Sequence, residues 1–192
     1  TSRGLGDVYK RQGEHNAGGA EAAVNWCRRL EEAGARMLTL HGRTREQRFS
    51  GTADWNAIAA VKAALSIPVI ANGDVNSPEE ALRCLRITGA DGLMVGRGSM
   101  GAPWLVGQID AALSDRPIPA TPTPRARLAL AKEQLLALIE ARGDHGLLIA
   151  RKHMSWTCTG FHGASQFRQQ LMRAPTPAAA LDLLDQQMQR ME

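Results

Sequence analysis

The run Ile67-Pro-Val-Ile-Ala-Asn-Gly-Asp74 and, one helix later, the run Leu93-Met-Val-Gly-Arg-Gly98 each end a short apolar segment in glycine beside polar side chains. Apolar runs of this length bounded by turn residues predict buried strands, and a glycine at a strand end lets the backbone come close to a ligand. The helix after each turn offers unpaired N–H groups and the positive end of its dipole to an anion. Two adjacent turns of this kind predict an anion site, and function is to be sought there.

Working outward, apolar residues at Ala20, Ala23, Val24, Cys27 and Leu30 predict an amphipathic helix over Gly18 to Ala33, closed by Gly34. Arg36 to His41 reads as a strand and Gly42-Arg-Thr-Arg45 as the loop leaving it. Asp54 is placed to cap a helix carrying Trp55, Ile58, Val61, Lys62 and Leu65, after which Val69 to Ala71 forms the next strand. Ser77-Pro-Glu-Glu80 is a capping box with proline at the first helical position, and Gly89 ends that helix. Leu93 to Val95 is the third strand, and Pro103 opens a helix to Leu113. Strand and helix alternate in units of roughly 25 to 30 residues, as parallel βα units do.

Four of the nine prolines fall between Asp115 and Pro124, which predicts an extended connector. Beyond it the strands stop. Helical spacing recurs over Leu128 to Ile139, Leu147 to Trp156, Phe167 to Met172, and from Thr176-Pro177 to Met191. The expected organisation is therefore α/β: the last three βα units of a TIM (β/α)₈ barrel over residues 13–114, a connector over 115–124, and an all-α domain over 125–192. The barrel is the economical completion because it places phosphate binding after its seventh and eighth strands. The first twelve residues have no helical or strand periodicity and read as a non-native leader, and the missing initiating Met fits a piece whose upstream half is absent.

The 192 residues are 44% hydrophobic with a net charge of +4, enough for one good core and mildly favourable to an acidic partner. No apolar run is long enough to span a membrane and no signal segment opens the chain, so the cytoplasm is expected. Cys27, Cys84 and Cys158 lie far apart in helical patterns and read as buried free thiols, with no metal site.

Gly96-Arg-Gly-Ser-Met-Gly101 matches the dinucleotide fingerprint, yet no further strand with an acidic residue follows, and the glycines could serve packing alone. His41 ends a strand and could face a cofactor ring or a substrate, or be a satisfied structural histidine. Arg43, Arg45 and Arg48 with Phe49 form a basic loop suited to phosphates and base stacking, or simply a solvated one. Asp74 could orient a sugar hydroxyl or cap its turn, and Asn72 could donate to a ring or hold the turn.

Together, His41-Gly-Arg-Thr-Arg45, Ile67 to Asp74, Asp91-Gly-Leu-Met-Val-Gly-Arg-Gly98 and Ile149-Ala-Arg-Lys-His-Met-Ser-Trp156 resemble the bacterial tRNA-dihydrouridine synthases, nearest the B type, from about Gly13 to the C-terminus. The resemblance implies an FMN-dependent barrel that reduces the C5–C6 double bond of uridines in tRNA, with NADPH recharging the flavin, and a full-length protein that is monomeric. By matching motifs it assigns FMN to Asn72, Gly73, Asp74, Gly96 and Arg97, with His41 beside the ring or the uracil. The helical tail resembles the family's RNA-binding domain, so Arg151, Lys152 and His153, with Arg43 and Arg45 of the basic loop, are expected to contact tRNA. From Asp115 onward ten Arg and Lys face seven Asp and Glu, a weak surplus for such a role.

The family's acid cysteine belongs to an earlier loop and none of the three cysteines matches it, so no catalytic residue is assigned and the isolated chain is expected to be inactive. Lys10 lacks the context of the family's flavin-contacting lysine. The competing readings are another FMN barrel, of the dihydroorotate or hydroxy-acid oxidoreductase type, and a non-catalytic RNA-binding module.

Overall fold

The computed structural model describes residues 19–191 apart from 45 and 49. The leader over 1–12, Lys10, Arg45 and Phe49 lie outside the described residues. Three strands, β1 (Leu38–His41), β2 (Val69–Asn72) and β3 (Gly92–Met94), form a parallel sheet in the order β1-β2-β3. The register sets Leu38 opposite Val69, His41 opposite Asn72, and Asn72 opposite Met94. Polar side chains thus come level at the C-terminal edge.

The strands differ slightly from the sequence expectation. Pairing begins at Leu38 rather than Arg36, where the Leu38 N–H donates to the Pro68 carbonyl at 3.0 Å. β3 begins and ends one residue earlier than Leu93 to Val95, because Asp91 clamps its start: the Asp91 N–H donates to Val69 O at 2.9 Å and the Asp91 carboxylate accepts from Val69 N at 2.8 Å. Lys62 lies 2.7 Å from the same carboxylate.

Helices α1 (Gly19–Glu32), α2 (Trp55–Ala64) and α3 (Pro78–Thr88) pack in sequence, α1 on α2 and α2 on α3. Their inward residues, Cys27, Ile58, Val61, Ala81 and Cys84, are buried together with Leu38, Val69 and Ala71 of the sheet. Asp54 caps α2 by accepting from the Ala57 N–H. Ser77 caps α3 by accepting from the Glu80 N–H, and the Glu80 carboxylate accepts from Asn76 N at 2.8 Å, one residue outside the cap. Helix α4 (Trp104–Leu113) follows a single 3₁₀ turn, Arg97–Ser99.

Four more helices follow among the described residues: α5 (Pro124–Arg142), α6 (His145–Thr157), α7 (Ala164–Arg173) and α8 (Pro177–Gln189). Leu128, Leu135, Met154, Cys158, Leu171 and Leu184 are fully buried among them. Burying each such leucine contributes about 1.5–3 kcal/mol. Helix α7 starts three residues before Phe167, where Gly163 turns into it with a φ of 76°.

Two compact units emerge: residues up to Gly98 with Leu105–Ile118, and Ser99–Trp104 with Pro119 onward. The short segment Ser99–Trp104 departs from a division made only at the proline-rich stretch. Gly101, with a φ of 72°, sits so close to Trp156 that an added Cβ would lie 2.6 Å from the Trp156 Cβ, so this segment packs on α6.

Candidate functional site

Residues from all three strand ends line one depression: His41, Asn72 to Asn76, Met94 and Gly96 to Gly98. It is a small, open depression of about 40 Å³. The strand register makes it. The Asn72 carbonyl accepts from the Gly42 N–H at 2.9 Å and lies 3.3 Å from His41 Nδ1, while Asn72 Nδ2 donates to the Met94 carbonyl at 2.7 Å.

These bonds orient both side chains. A carbonyl oxygen only accepts, so His41 Nδ1 is the donor in this pairing. With its NH₂ engaged by Met94, Asn72 keeps its Oδ1 as the acceptor.

The turn after β2 depends on backbone that few residues adopt. Gly73 has a φ of 124° and Asp74 one of 55°. Asp tolerates this left-handed region better than most residues, because its short side chain bonds locally. A Cβ on Gly73 would lie 2.8 Å from the Ala53 Cβ, and one on Gly98 would lie 2.6 Å from the Val75 carbonyl. Gly98 thus abuts the backbone of the preceding turn, and Gly73 the Ala53 side chain. The Trp55 indole N–H donates to Gly73 O at 3.0 Å, and Arg83 stacks over that indole at 5.6 Å.

Asp74 is the hub. Both carboxylate oxygens accept from Arg43 Nη2, at 2.6 and 2.7 Å, Oδ2 also accepts from the Ala53 N–H at 2.7 Å, and Arg97 Nη2 lies 3.7 Å from Oδ1. Burial opposes the charged form, but the Ala53 N–H and the Arg43 guanidinium outweigh it and hold the carboxyl below the ordinary Asp range.

Arg43 needs a correction. The sequence expectation set it among exposed cations for RNA, yet its side chain is 4% exposed. Besides Asp74 it donates to Ser50 O and Gly51 O, at 3.3 and 2.8 Å, so it is spent inside its own loop. Its Nη1 is buried with no hydrogen-bond partner. Asp74 is likewise bonded to protein groups, although it still lines the depression. Gly96 and Arg97 stand at the mouth, both exposed.

On α6, consecutive residues point about 100° apart, so Arg151, Lys152 and His153 do not all face the same way. Arg151 turns inward, donating to the Ala174 carbonyl at 3.0 Å, which corrects its expected role as a surface contact. Lys152 is exposed with Nζ 5.1 Å from the Trp156 ring, and His153 meets that ring edge-on at 5.6 Å. Trp156 was not among the expected contact residues, although its i+4 spacing from Lys152 and i+3 spacing from His153 mark the group in the sequence.

The three thiols are buried. Burial pushes Cys84 up to about 11 and Cys158 up to about 12, and none of the three lines the depression. Among the described residues no group of three or more His, Cys, Asp or Glu could hold a metal, and no helix is long and apolar enough to cross a membrane.

A family model described as "Dihydrouridine synthase (Dus)" matches residues 12–192. The chain is 50% identical over 163 residues to "Probable tRNA-dihydrouridine synthase 1" of Synechocystis sp., covering 85% of this chain and 46% of that protein. It is 45% identical over 163 residues to "Probable tRNA-dihydrouridine synthase" of Rhodobacter capsulatus, covering 84% and 50%. Against "tRNA-dihydrouridine synthase B" of Xanthomonas campestris the figures are 40% over 162 residues, covering 82% and 48%. The chain thus spans about half the length of the curated relatives it matches. A crystal structure of mandelate oxidase aligns with a TM-score of 0.42 and 17% identity, covering 96% of this chain and 56% of that one, a likeness too distant to inform the site.

Proposed function

Because the chain belongs to the dihydrouridine synthase family, we propose that it carries the cofactor-phosphate end and the helical RNA-binding part of an FMN-dependent tRNA-dihydrouridine synthase. The enzyme reduces the C5–C6 double bond of uridine in tRNA with NADPH as reductant. The three βα units are read as the last three of a (β/α)₈ barrel, which accords with a sheet whose sequence order equals its spatial order and whose site lies at the strands' C-terminal ends.

The observation that carries this reading is the depression between the two glycine turns. A Cβ on Gly96 would meet nothing within 4 Å, and Arg97 stands beside it in the lining. These residues fit the phosphate end of FMN. Bound there, the flavin supplies the hydride chemistry. The chain's own residues bind and orient: Arg97 offers a planar fork of donors to the phosphate, and Gly96 leaves the backbone open to it. Asn72 and His41, which line the depression, are the polar side chains left to meet the rest of the cofactor.

Lys152, His153 and Trp156 are the proposed tRNA contacts on α6, a cation and two rings suited to phosphate and base. The proton for C5 is not assigned to Cys27, Cys84 or Cys158, which are buried and line no part of the depression. The isolated chain is accordingly proposed to be inactive in dihydrouridine formation.

Titrating the chain with FMN and with riboflavin, which has the same ring and ribityl chain but no phosphate, tests the reading. FMN binds more tightly than riboflavin, and Arg97→Ala removes that preference. Equal binding of the two flavins overturns the phosphate assignment, and tRNA binding without any flavin preference turns the reading toward an RNA-binding module.

A further inference from the structure

A carboxylate on the wall of an anion site repels the anion, and Asp74 is such a carboxylate. Its surroundings resolve the conflict. From behind, Arg43 Nη2 touches both oxygens at 2.6 and 2.7 Å with its side chain 4% exposed; toward the depression, Arg97 Nη2 lies 3.7 Å from Oδ1. The inner cation takes the short bonds and the outer one the long contact. We infer that Arg43 is a positioning residue for the anion site: by satisfying Asp74 from inside, it stops that carboxylate from competing with the cofactor's phosphate for Arg97. This rests on the flavin-phosphate reading above and moves Asp74 from cofactor ligand to counter-charge.

Chemistry favours this division of labour. A guanidinium held mainly by the carboxylate beside it has fewer N–H groups to give a phosphate, and an uncompensated carboxylate a few ångströms from a phosphate adds direct repulsion. Both effects weaken when the Arg43 charge offsets that of Asp74, and they vanish if Asp74 carries no charge. A residue that merely staples its loop, through Ser50 O and Gly51 O, would behave differently.

The test compares FMN with riboflavin binding by fluorescence titration for the chain, Arg43→Gln, Asp74→Asn and the double variant Arg43→Gln/Asp74→Asn, with circular dichroism to verify folding and Arg97→Ala as the control. Arg43→Gln is expected to lose about tenfold or more of the preference for FMN, since it leaves a bare carboxylate beside the phosphate. The double variant is expected to recover most of that loss, although it has neither the guanidinium nor the staple. If Arg43→Gln keeps the preference, or if the double variant stays as low as the single one, the inference is overturned while the phosphate reading stands. Should Arg43→Gln fail to fold, the folded double variant decides: retained FMN preference supports the inference, and its loss overturns it. Equal binding of both flavins by the unsubstituted chain and by Arg97→Ala removes the phosphate reading and the inference together.

Discussion

Replacing Gly98 and Gly96 separately by alanine distinguishes two ways in which the second turn works. At Gly98 a Cβ would lie 2.6 Å from the Val75 carbonyl oxygen and 3.1 Å from the Asn76 Cα, roughly 0.8 Å inside ordinary contact with a backbone that cannot swing aside. Overpacking of this kind costs about 1–3 kcal/mol. At about 3 °C per kcal/mol for a chain of this size, Tm falls by roughly 3–9 °C. At Gly96 a Cβ meets nothing within 4 Å and the backbone is not left-handed, so Gly96→Ala leaves Tm within about 2 °C. The added methyl stands on a residue that lines the depression, so steric crowding of the phosphate is expected to lower FMN affinity about tenfold while riboflavin affinity changes little. Differential scanning fluorimetry beside flavin titration reads both quantities. A Tm loss from Gly96→Ala equal to that from Gly98→Ala would refute the assignment of one glycine to loop contact and the other to ligand space.

Two other outcomes follow from the titrating groups. Asp74 has a depressed pKa when folded, so its stabilisation is complete above the ordinary Asp value of 3.8 and is lost as pH falls through the lower folded value. The Tm difference between the chain and Asp74→Asn should therefore hold steady above about pH 5 and shrink below about pH 4. The thiols of Cys84 and Cys158, raised to about 11 and about 12, stay protonated at pH 8. A thiol-reactive chromophore should label them only as the chain unfolds in urea, and rapid labelling of the folded chain would contradict their burial.

What the sequence disclosed tracks the range over which each interaction acts. Caps at Asp54 and Ser77, the glycine turns, and the alternation of strand and helix are local, and each is written within a few residues. The bond between Arg43 and Asp74 spans 31 positions and depends on the positive φ of Asp74. Nothing in the neighbourhood of Arg43, flanked by Gly42 and Thr44 with Arg45 beyond, distinguishes a buried arginine from a solvated one. Arg151 misled for the same reason: its partner is the Ala174 carbonyl, a backbone atom that carries no sequence signature. Trp156 was legible by spacing, but its contact with Gly101 was not.

The level alignment of His41, Asn72 and Met94 across the three strands has a consequence for how this site tolerates change. The site runs transversely, one residue per strand, whereas the chain runs lengthwise. Deleting one residue within β2 would swing Asn72 to the opposite face and shift the following turn in a single step. Extra residues between Thr44 and Thr52, by contrast, would leave all three strand ends in line. Length variation in this chain should therefore be excluded from the strands and admitted in that loop only ahead of Ser50 and Gly51, whose carbonyls hold Arg43, a pattern that a library of single-residue indels would reveal.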